Sequence, residues 1–538
     1  MPTRSILGAF GETRFSVLPN APTPCLPSNQ NAGRGGERDF RRTLLALFAL
    51  LAGCHALWPL GTPPADGHHG GDAPGLLDGA ADASGSGEDG AVDLALEGPS
   101  GDLQRADHTA FDSNVSPAGT WARSIGGTDI DRLNDVAVDS AGNIYVAGEF
   151  SNTVTVNGAS ISASGPTDAL VASYDSNGAL RWFVPIGGTS GDSARGVAVR
   201  GASVYVTGDF QETSTLTGKT TITIAGAGKR DIFIAALDTA DGGAQWAKAF
   251  GAAENDYGRG VAVDSAGNLY LTGDLGSNVT FDTLKATASQ LGEPFVAALA
   301  PQGTAIWVHS GDGGNGVDQG RAVATGGGVV WAVGSVWSTQ TAADALAVSL
   351  DASSGVPLTT ALLKGPDDDH ARGVAVDGAG NSYITGEFGQ TLDGPGFTLT
   401  ASGQSNVFVV SLTKGGLQRW SQGFSSAGAA KSAGYDLLFE GGKVWVAGAI
   451  TGAVTFGGPA VSGPGNRDIF VAALEPTSGL HHYSGAWGSA GFDAAYGVTL
   501  SAGYVVLAGE AQGQVAFPGA ALLPAGSGYD GFLLRYKP

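Results

Sequence analysis

The sequence has little cysteine, little methionine and little positive charge. Its 538 residues include two cysteines and one methionine, and only 14% of them are charged. Lysine and arginine total 28 against 50 aspartates and glutamates, which gives a formal net charge of −22. A protein that binds nucleic acid neutralises phosphates with a basic surface. The composition therefore argues against a nucleic-acid partner.

Motifs of the common enzyme and metal chemistries are also missing. The eight histidines do not stand at zinc-site spacings, and neither a P-loop nor a Gly-x-Ser-x-Gly elbow with triad partners is evident. One acidic run, Asp367, Asp368 and Asp369, could bind a hard cation such as Ca²⁺. Three consecutive carboxylates on an extended chain do not point one way, however. We expect no cofactor and keep Ca²⁺ at this run as an alternative.

The N-terminal region carries a short targeting pattern. Arg41 and Arg42 precede an apolar run at 43–52, which is too short to span a bilayer as a helix. The run ends in the tetrapeptide Leu51, Ala52, Gly53 and Cys54. This resembles the lipobox of bacterial lipoprotein signal peptides, and the resemblance implies cleavage before Cys54 and diacylation of its thiol. The alternative is an ordinary secretory signal with a chance cysteine.

These features divide the chain into four segments. Residues 1–38 precede the signal and suggest a start codon assigned too early, 39–53 are the signal peptide, and 119–538 hold the repeats described below. Residues 54–118 are rich in Gly, Ala and Asp and have Arg105 as their one basic residue, which predicts a disordered linker. Two lipid chains anchor a protein stably. We expect anchorage at the cell envelope, in the outer membrane or at the cell surface, and no internal disulfide.

A repeat fills the rest of the chain. Asn134 to Gly148 and Arg259 to Gly273 are nearly the same sequence, and their final glycine recurs every 52 to 65 residues. Each copy predicts four strands, a to d, with a tight turn between a and b. The fourth strand carries a tryptophan in five copies and lacks it near Leu362 and Tyr483. The repeat glycines are Gly148, Gly208, Gly273, Gly334, Gly386, Gly448 and Gly509.

The two ends of the repeat region complement each other. The region begins with a d strand at 120–125 and ends with a c strand at 530–536, so the last copy lacks its d strand. A ring in which the first strand completes the last copy leaves no exposed sheet edge. We therefore predict an all-β, seven-bladed β-propeller closed by its N-terminal strand. An open solenoid is the alternative, although neither end looks like a cap.

The segment Asp256 to Gly273 resembles the bacterial seven-bladed propeller repeat family. The resemblance implies an exported or cell-surface protein and carries no catalytic residues. A second segment, Ala236 to Trp246, resembles the tryptophan-docking motif of quinoprotein dehydrogenases, which hold pyrroloquinoline quinone. In that family the motif pins blades together, so it indicates fold more than chemistry.

Loop length separates the two faces of the predicted ring. The a–b and c–d turns are short, whereas the d–a and b–c loops are long, and long loops usually carry binding. The b–c segment of the fourth copy is about ten residues shorter than the others, and Trp337 lies in it. We predict a notch there, with Trp337 either contacting a partner or simply covering the side of the blade.

An acid recurs four residues before strand a, and an arginine often follows it by three. The aspartates are Asp131, Asp192, Asp256, Asp318, Asp369 and Asp493. The arginines are Arg195, Arg259, Arg321 and Arg372. One interpretation is structural, with each aspartate accepting backbone N–H bonds or pairing with an arginine. The other is an anion site at the mouth of the channel, because strand a is innermost.

The function predicted from these patterns is a non-catalytic binding or scaffold module. We expect a monomer that is bound to the membrane through its lipid and has a protein or saccharide partner on the long-loop face. The alternative is a propeller enzyme with its site at the channel mouth, either a quinone-dependent dehydrogenase or a lyase or hydrolase.

Overall fold

A computed structural model describes residues 119–538 apart from 157, 289–291, 312–317, 338–341, 427–430, 518 and 521–527. The predicted segments 1–38, 39–53 and 54–118, with the lipobox residues Leu51, Ala52, Gly53 and Cys54, lie outside the described residues. In the described part the regular structure consists of strands, and no helix there is long and apolar enough to cross a membrane.

The strands form seven antiparallel blades, which confirms the predicted propeller. Six blades are four-stranded sheets, and in blade one the hairpin Thr213–Thr217 with Thr221–Ala225 extends the sheet to six strands. The a strands are Arg132–Val138, Ser193–Arg200, Asp256–Val263, Gln319–Gly326, His370–Val376, Ala433–Glu440 and Asp493–Ser501. The b strands are Ile144–Val156, Ser203–Phe210, Leu269–Leu275, Val329–Val336, Ser382–Phe388, Lys443–Ile450 and Tyr504–Ala511. The c strands are Ala159–Tyr174, Asp231–Asp238, Glu293–Leu299, Asp344–Asp351, Asn406–Leu412, Asp468–Leu474 and Asp530–Tyr536. The d strands are Leu180–Gly187, Ala244–Phe250, Ala305–Ser310, Pro357–Leu363, Gln418–Phe424, His481–Trp487 and, for blade seven, Trp121–Ile125.

The ring closes as the sequence predicts. Strand Trp121–Ile125 pairs antiparallel with Asp530–Tyr536 and so completes blade seven. The guanidinium of Arg535 donates a hydrogen bond of 2.6 Å to the carbonyl of Gly119, just before the closing strand. Because every backbone group of the last c strand now has a neighbouring strand, no sheet edge stays open at the junction.

The hydrophobic core lies between neighbouring blades. Aliphatic and aromatic side chains from the b, c and d strands of one blade pack on those of the next, as with Val206 and Phe233 of blade two against Val171 and Val184 of blade one. The small and branched side chains among them suit the close face-to-face approach of twisted sheets.

Tryptophan side chains connect neighbouring blades. Trp182 of blade one donates its indole N–H to the carbonyl of Thr239 at 3.1 Å and covers Gly242, whose φ of +71° makes the c–d turn of blade two. In blade four the register puts Thr359 at this position, opposite Ser349, rather than Leu362, which pairs with Leu346. Leu362, near which the tryptophan was expected to be missing, lies three residues further along the same strand.

Blades four and six distribute the large aromatic side chains differently between strands b and d. In blade one Tyr145 of strand b lies 5.9 Å from Trp182 of strand d. Blade four instead combines Trp331 in strand b with the small Thr359 in strand d. Blade six reverses the pair, with Trp445 in strand b and Tyr483 in strand d, 6.4 Å apart between ring centroids. The space between blades is thus filled jointly by the side chain in strand b and the side chain in strand d.

Several b–c connections form hairpins on the long-loop face. They are Thr213–Thr217 with Thr221–Ala225, Val279–Phe281 with Leu284–Ala286, and Thr391–Gly394 with Phe397–Thr400. In blade one the predicted hairpin is a continuation of strands b and c, in which Val154 pairs with Ile161. In blade four the connection spans only 337–343, of which 338–341 lie outside the described residues.

Candidate functional site

A bulge in every a strand directs one side chain into the central channel. In each blade the a–b pairing skips one residue of strand a, as between Ala194 and Gly196 in blade two. The repeat glycine of strand b allows this irregularity, because a Cβ on Gly208 would stand 1.9 Å from the carbonyl oxygen of Ser193. Bulges re-aim side chains. The skipped residues are Asn134, Arg195, Arg259, Arg321, Arg372, Tyr435 and Tyr496.

These seven side chains line one cavity of about 400 Å³ inside the ring. Arg132, Asp135 and Asp436 line it as well. The four arginines predicted at the channel mouth are therefore brought together. The sequence analysis missed Arg132, Asn134, Tyr435 and Tyr496, although the last three occupy the same column of the repeat as the arginines and could have been found by following that column.

Most arginines of the cavity are neutralised by an acid that follows the strand-b glycine. Arg259 binds Asp274 with two hydrogen bonds of 2.8 and 2.7 Å. In blade two the guanidinium Nε of Arg195 lies 2.5 Å from Asp209. Arg372 is paired with Glu387, and Arg132 with Glu510 at 2.7 Å. Bidentate pairs of this kind fix both charge and orientation.

Arg321 of blade four differs from these arginines. Ser335 stands where blades one, two, three, five and seven carry the acid, and the guanidinium donates to the side-chain carbonyl of Gln319. Its Nε is buried and has no hydrogen-bond partner within the part of the chain that the structure describes. Loss of solvation, followed by repulsion from Arg259 and Arg372, lowers the pKa of Arg321 to about 9. At neutral pH it is a cation that has no carboxylate partner among the described residues.

The opposite wall of the cavity is aromatic. The rings of Tyr435 and Tyr496 meet edge to face with centroids 5.0 Å apart. The hydroxyl of Tyr496 donates to Glu510 at 2.5 Å. Arg372 lies 5.2 Å from the centroid of Tyr435, and Arg132 lies 5.5 Å from that of Tyr496. The tyrosine faces therefore already have cations beside them.

Two aspartates of the cavity connect neighbouring blades. Asp135 accepts the N–H of Val197 in blade two at 2.8 Å and also that of Val136. In the same way Asp436 of blade six accepts the N–H of Val498 in blade seven at 2.9 Å. Both carboxylates face the cavity yet are surrounded by protein. Burial raises the pKa of each, and the charge of Asp436 raises that of Asp135 further.

The repeated aspartates before strand a are fully buried and bind backbone rather than arginine. Asp192 accepts the N–H of Gly188 at 2.9 Å and of Gln211 at 3.3 Å, which ties the d–a loop to the end of strand b. Burial raises the pKa of Asp192 to about 7, although these N–H bonds oppose the rise. The residues with 0% exposure are Asp131, Asp192, Asp256, Asp318, Asp369 and Asp493. Their geometry is that of a scaffold.

The acidic run of blade five does not converge on one point. Asp367 accepts the N–H of Gln390 at 3.2 Å, and Asp368 accepts that of Ala343 at 2.9 Å. Asp369 accepts the N–H of Gly389, just after strand b, at 3.1 Å. Across the described residues no group of three or more histidine, cysteine, aspartate or glutamate side chains could hold a metal ion.

Trp337 lies where the long-loop face meets blade four. Its side chain is partly buried, and its backbone N–H donates to Asp318 at 2.6 Å. It is not among the residues that line the channel cavity.

Comparison with known families identifies the repeat. The family model described as Beta-propeller repeat matches residues 120–149 and 245–274. The chain carries the beta-propeller repeat. The first match covers the closing strand and the a and b strands of blade one, and the second covers strand d of blade two with the a and b strands of blade three. No curated protein matches this chain in sequence.

Solved structures resemble the beta-propeller ring at low identity. A quinohemoprotein alcohol dehydrogenase from Pseudomonas putida HK5 is 12% identical over 79% of this chain and 77% of that chain, with a TM-score of 0.38. The corresponding enzyme from Comamonas testosteroni is 10% identical over 79% and 78%, with a TM-score of 0.34. The endosialidase of phage phi92 is 8% identical over 78% and 69%, with a TM-score of 0.35.

Proposed function

We propose that the protein is an exported, lipid-anchored β-propeller that acts as a non-catalytic binding module at the cell envelope. Its binding site is the channel cavity, and its ligand carries an anionic group. The observation that carries this proposal is Arg321, which faces the cavity and has no carboxylate partner in the part of the chain that the structure describes, whereas Arg259 and Arg372 at the same repeat position each have one.

The energetics of a buried cation support an anionic ligand. Removing a charge from water is costly unless a counter-charge and hydrogen bonds replace the lost solvation. The other arginines of the cavity obtain this from Asp274, Glu387 and Glu510. A bound carboxylate or other oxyanion would supply it to Arg321, and the planar guanidinium suits such a group.

The acids of the cavity support binding rather than turnover. Asp135 and Asp436 each use both oxygens to accept backbone N–H bonds, one of them from the next blade. Carboxylates held in this way join the inner strands of the ring. A propeller enzyme with its site at the channel mouth remains the alternative, and a chromophore that co-purifies with the protein would favour it.

The anion site is tested by supplying the missing partner from within the chain. In Ser335→Asp a carboxylate stands at the position of Asp274 and Asp209 and pairs with Arg321. Sulfate, phosphate and acetate, compared with chloride at equal ionic strength, should raise the melting temperature of the wild-type full-length protein and of Ser335→Ala. A ligand at 100 times its Kd adds about 2.7 kcal/mol of stability. Ser335→Asp should lose this response, and an unchanged response would contradict the site.

The anchor and the partner surface are tested separately. If Cys54 is diacylated, Cys54→Ala should abolish labelling with radioactive palmitate and release the protein from the membrane fraction. If a protein or saccharide partner on the long-loop face contacts Trp337, cross-linking on intact cells should join less of that partner to Trp337→Ala than to the wild-type protein. An equal amount of cross-linked partner would assign Trp337 a purely structural role.

A further inference from the structure

The channel cavity has two chemically different halves. Blades two to five contribute arginines, whereas blades six, seven and one contribute hydroxyl-bearing rings, an amide, two acids and Arg132, which is paired with Glu510. Blades four and seven are three positions apart in a ring of seven, so Arg321 and Tyr496 face each other across the channel. The cationic half is Arg195, Arg259, Arg321 and Arg372. The other half is Tyr435, Asp436, Tyr496, Asn134, Asp135 and the paired Arg132.

The cationic half has room for one negative charge. Arg195, Arg259 and Arg372 are already paired with Asp209, Asp274 and Glu387. Within 119–538, apart from the segments that the structure leaves undescribed, Arg321 has no such partner and its buried Nε is unpaired. A ligand with a single carboxylate matches this surplus, whereas a polyanion would have to break ion pairs that the ring already makes.

The other half suits a hydroxylated ring. Each oxygen of Asp135 and Asp436 accepts one backbone N–H, and a carboxylate oxygen has a second lone pair for a ligand hydroxyl. Asn134 adds an amide to the same wall. The face of Tyr496 offers a flat apolar surface of the kind against which the C–H groups of a sugar ring can lie.

Two other classes of monocarboxylate fit this half less well. An amino acid would bring its ammonium group to the tyrosines, where Arg372 and Arg467 lie 5.2 and 5.4 Å from the centroid of Tyr435 and would repel it. An aromatic acid has no hydroxyls to donate to the second lone pairs of Asp135 and Asp436, so it would gain fewer hydrogen bonds from this wall than a sugar ring.

We therefore propose that the ligand is an acidic saccharide of the uronic-acid type. Its carboxylate binds Arg321, and its ring lies against Tyr496 with hydroxyls directed to Asp135 and Asp436. This inference rests on the proposed anion-binding function. The cavity volume of about 400 Å³ suits one sugar unit or the end of a chain, since small-molecule sites generally begin near this size.

Isothermal titration of the full-length protein with D-glucuronate and D-galacturonate tests this inference. D-glucose lacks the carboxylate, benzoate lacks the hydroxyls, L-glutamate adds an ammonium and sulfate lacks a ring. One of the uronates should bind at least tenfold more tightly than each of these four. Arg321→Met should weaken uronate binding at least tenfold, and Arg181→Met, whose guanidinium binds Ser173 and Tyr145 outside the cavity, should not.

Variants of Tyr496 separate sugar recognition from anion recognition. Tyr496→Leu should weaken uronate binding more than sulfate binding, and Tyr496→Phe, which keeps the aromatic face, should weaken it less than Tyr496→Leu. Equal affinity for sulfate and both uronates would overturn the saccharide inference and leave the anion site standing. Preference for L-glutamate or benzoate would overturn it in the same way. Absence of any anion binding would overturn the proposed function as well.

Discussion

Replacing Arg321 by methionine should stabilise the unliganded propeller, although it removes a hydrogen-bonded arginine from the interior. The fall of its pKa from 12.5 to about 9 reflects a charge that the folded state disfavours. At about 1.4 kcal/mol per pH unit this corresponds to about 5 kcal/mol. Water in the channel screens part of this cost. Methionine keeps most of the apolar stem, so we expect a gain of about 1–2 kcal/mol.

The same substitution at Arg259 is the matched control. Arg259 occupies the same position of the repeat, but its loss leaves Asp274 as a nearly buried carboxylate without its bidentate partner. Breaking a buried pair from one side costs about 3–5 kcal/mol. Arg321→Met and Arg259→Met should therefore change stability in opposite directions.

Urea unfolding at pH 7, followed by tryptophan fluorescence without added anions, measures both variants against wild type. An increase in midpoint for Arg321→Met with a decrease for Arg259→Met is the expected result. If both variants lose similar stability, Arg321 is compensated in the folded protein and the argument for its unpaired charge is wrong.

Three further predictions concern the scaffold. Trp121→Ala should open the ring closure and cost about 3–5 kcal/mol in urea unfolding, whereas Trp337→Ala, at a partly exposed position, should cost less than about 1 kcal/mol. Thr359→Trp and Trp331→Tyr should each destabilise blade four. The double variant should recover at least about 1 kcal/mol of the summed loss in free energy of unfolding, because the two residues then match the pair in blade one. Purely additive losses would contradict the pairing of these two positions. Burial raises the pKa of Asp192 and most of the other repeated aspartates, so the folded state binds protons that the unfolded state does not. The melting temperature should therefore rise by about 2 °C or more as pH falls from 8 to 5.5. A fall in melting temperature over this range would refute this prediction.

Much of the fold could be read from the repeat. The glycine at the end of strand b and the Asp-x-x-Gly turn after strand a recur often enough to fix seven blades and four strands in each. The surplus d strand at Trp121–Ile125 and the missing one after Asp530–Tyr536 predicted the closure that the structure shows. Thr359, which takes the place of the tryptophan in blade four, is identified only by its register with Ser349, because its own chemistry does not mark the position.

Only part of the candidate site could be predicted from the sequence. Arg195, Arg259, Arg321 and Arg372 were found because they share one spacing from the repeated aspartates. Tyr435 and Tyr496 occupy the same position of the repeat as these arginines. A tyrosine in a strand predicts a core position, however, and only the bulge in strand a shows that these two side chains face the channel.

The sequence by itself determined what is local and repeated: the number of blades, the order of strands, the turns and the strand that closes the ring. These follow from hydrophobic alternation within each copy and from glycines that recur every 52 to 65 residues. Only the tertiary structure decided which charges are compensated. The bond from Val197 to Asp135 joins residues 62 positions apart, and Arg321 is unusual only because the bulge turns it toward its neighbours while Ser335 provides no acid. Such relations arise between blades, where neighbours in space are distant in the chain.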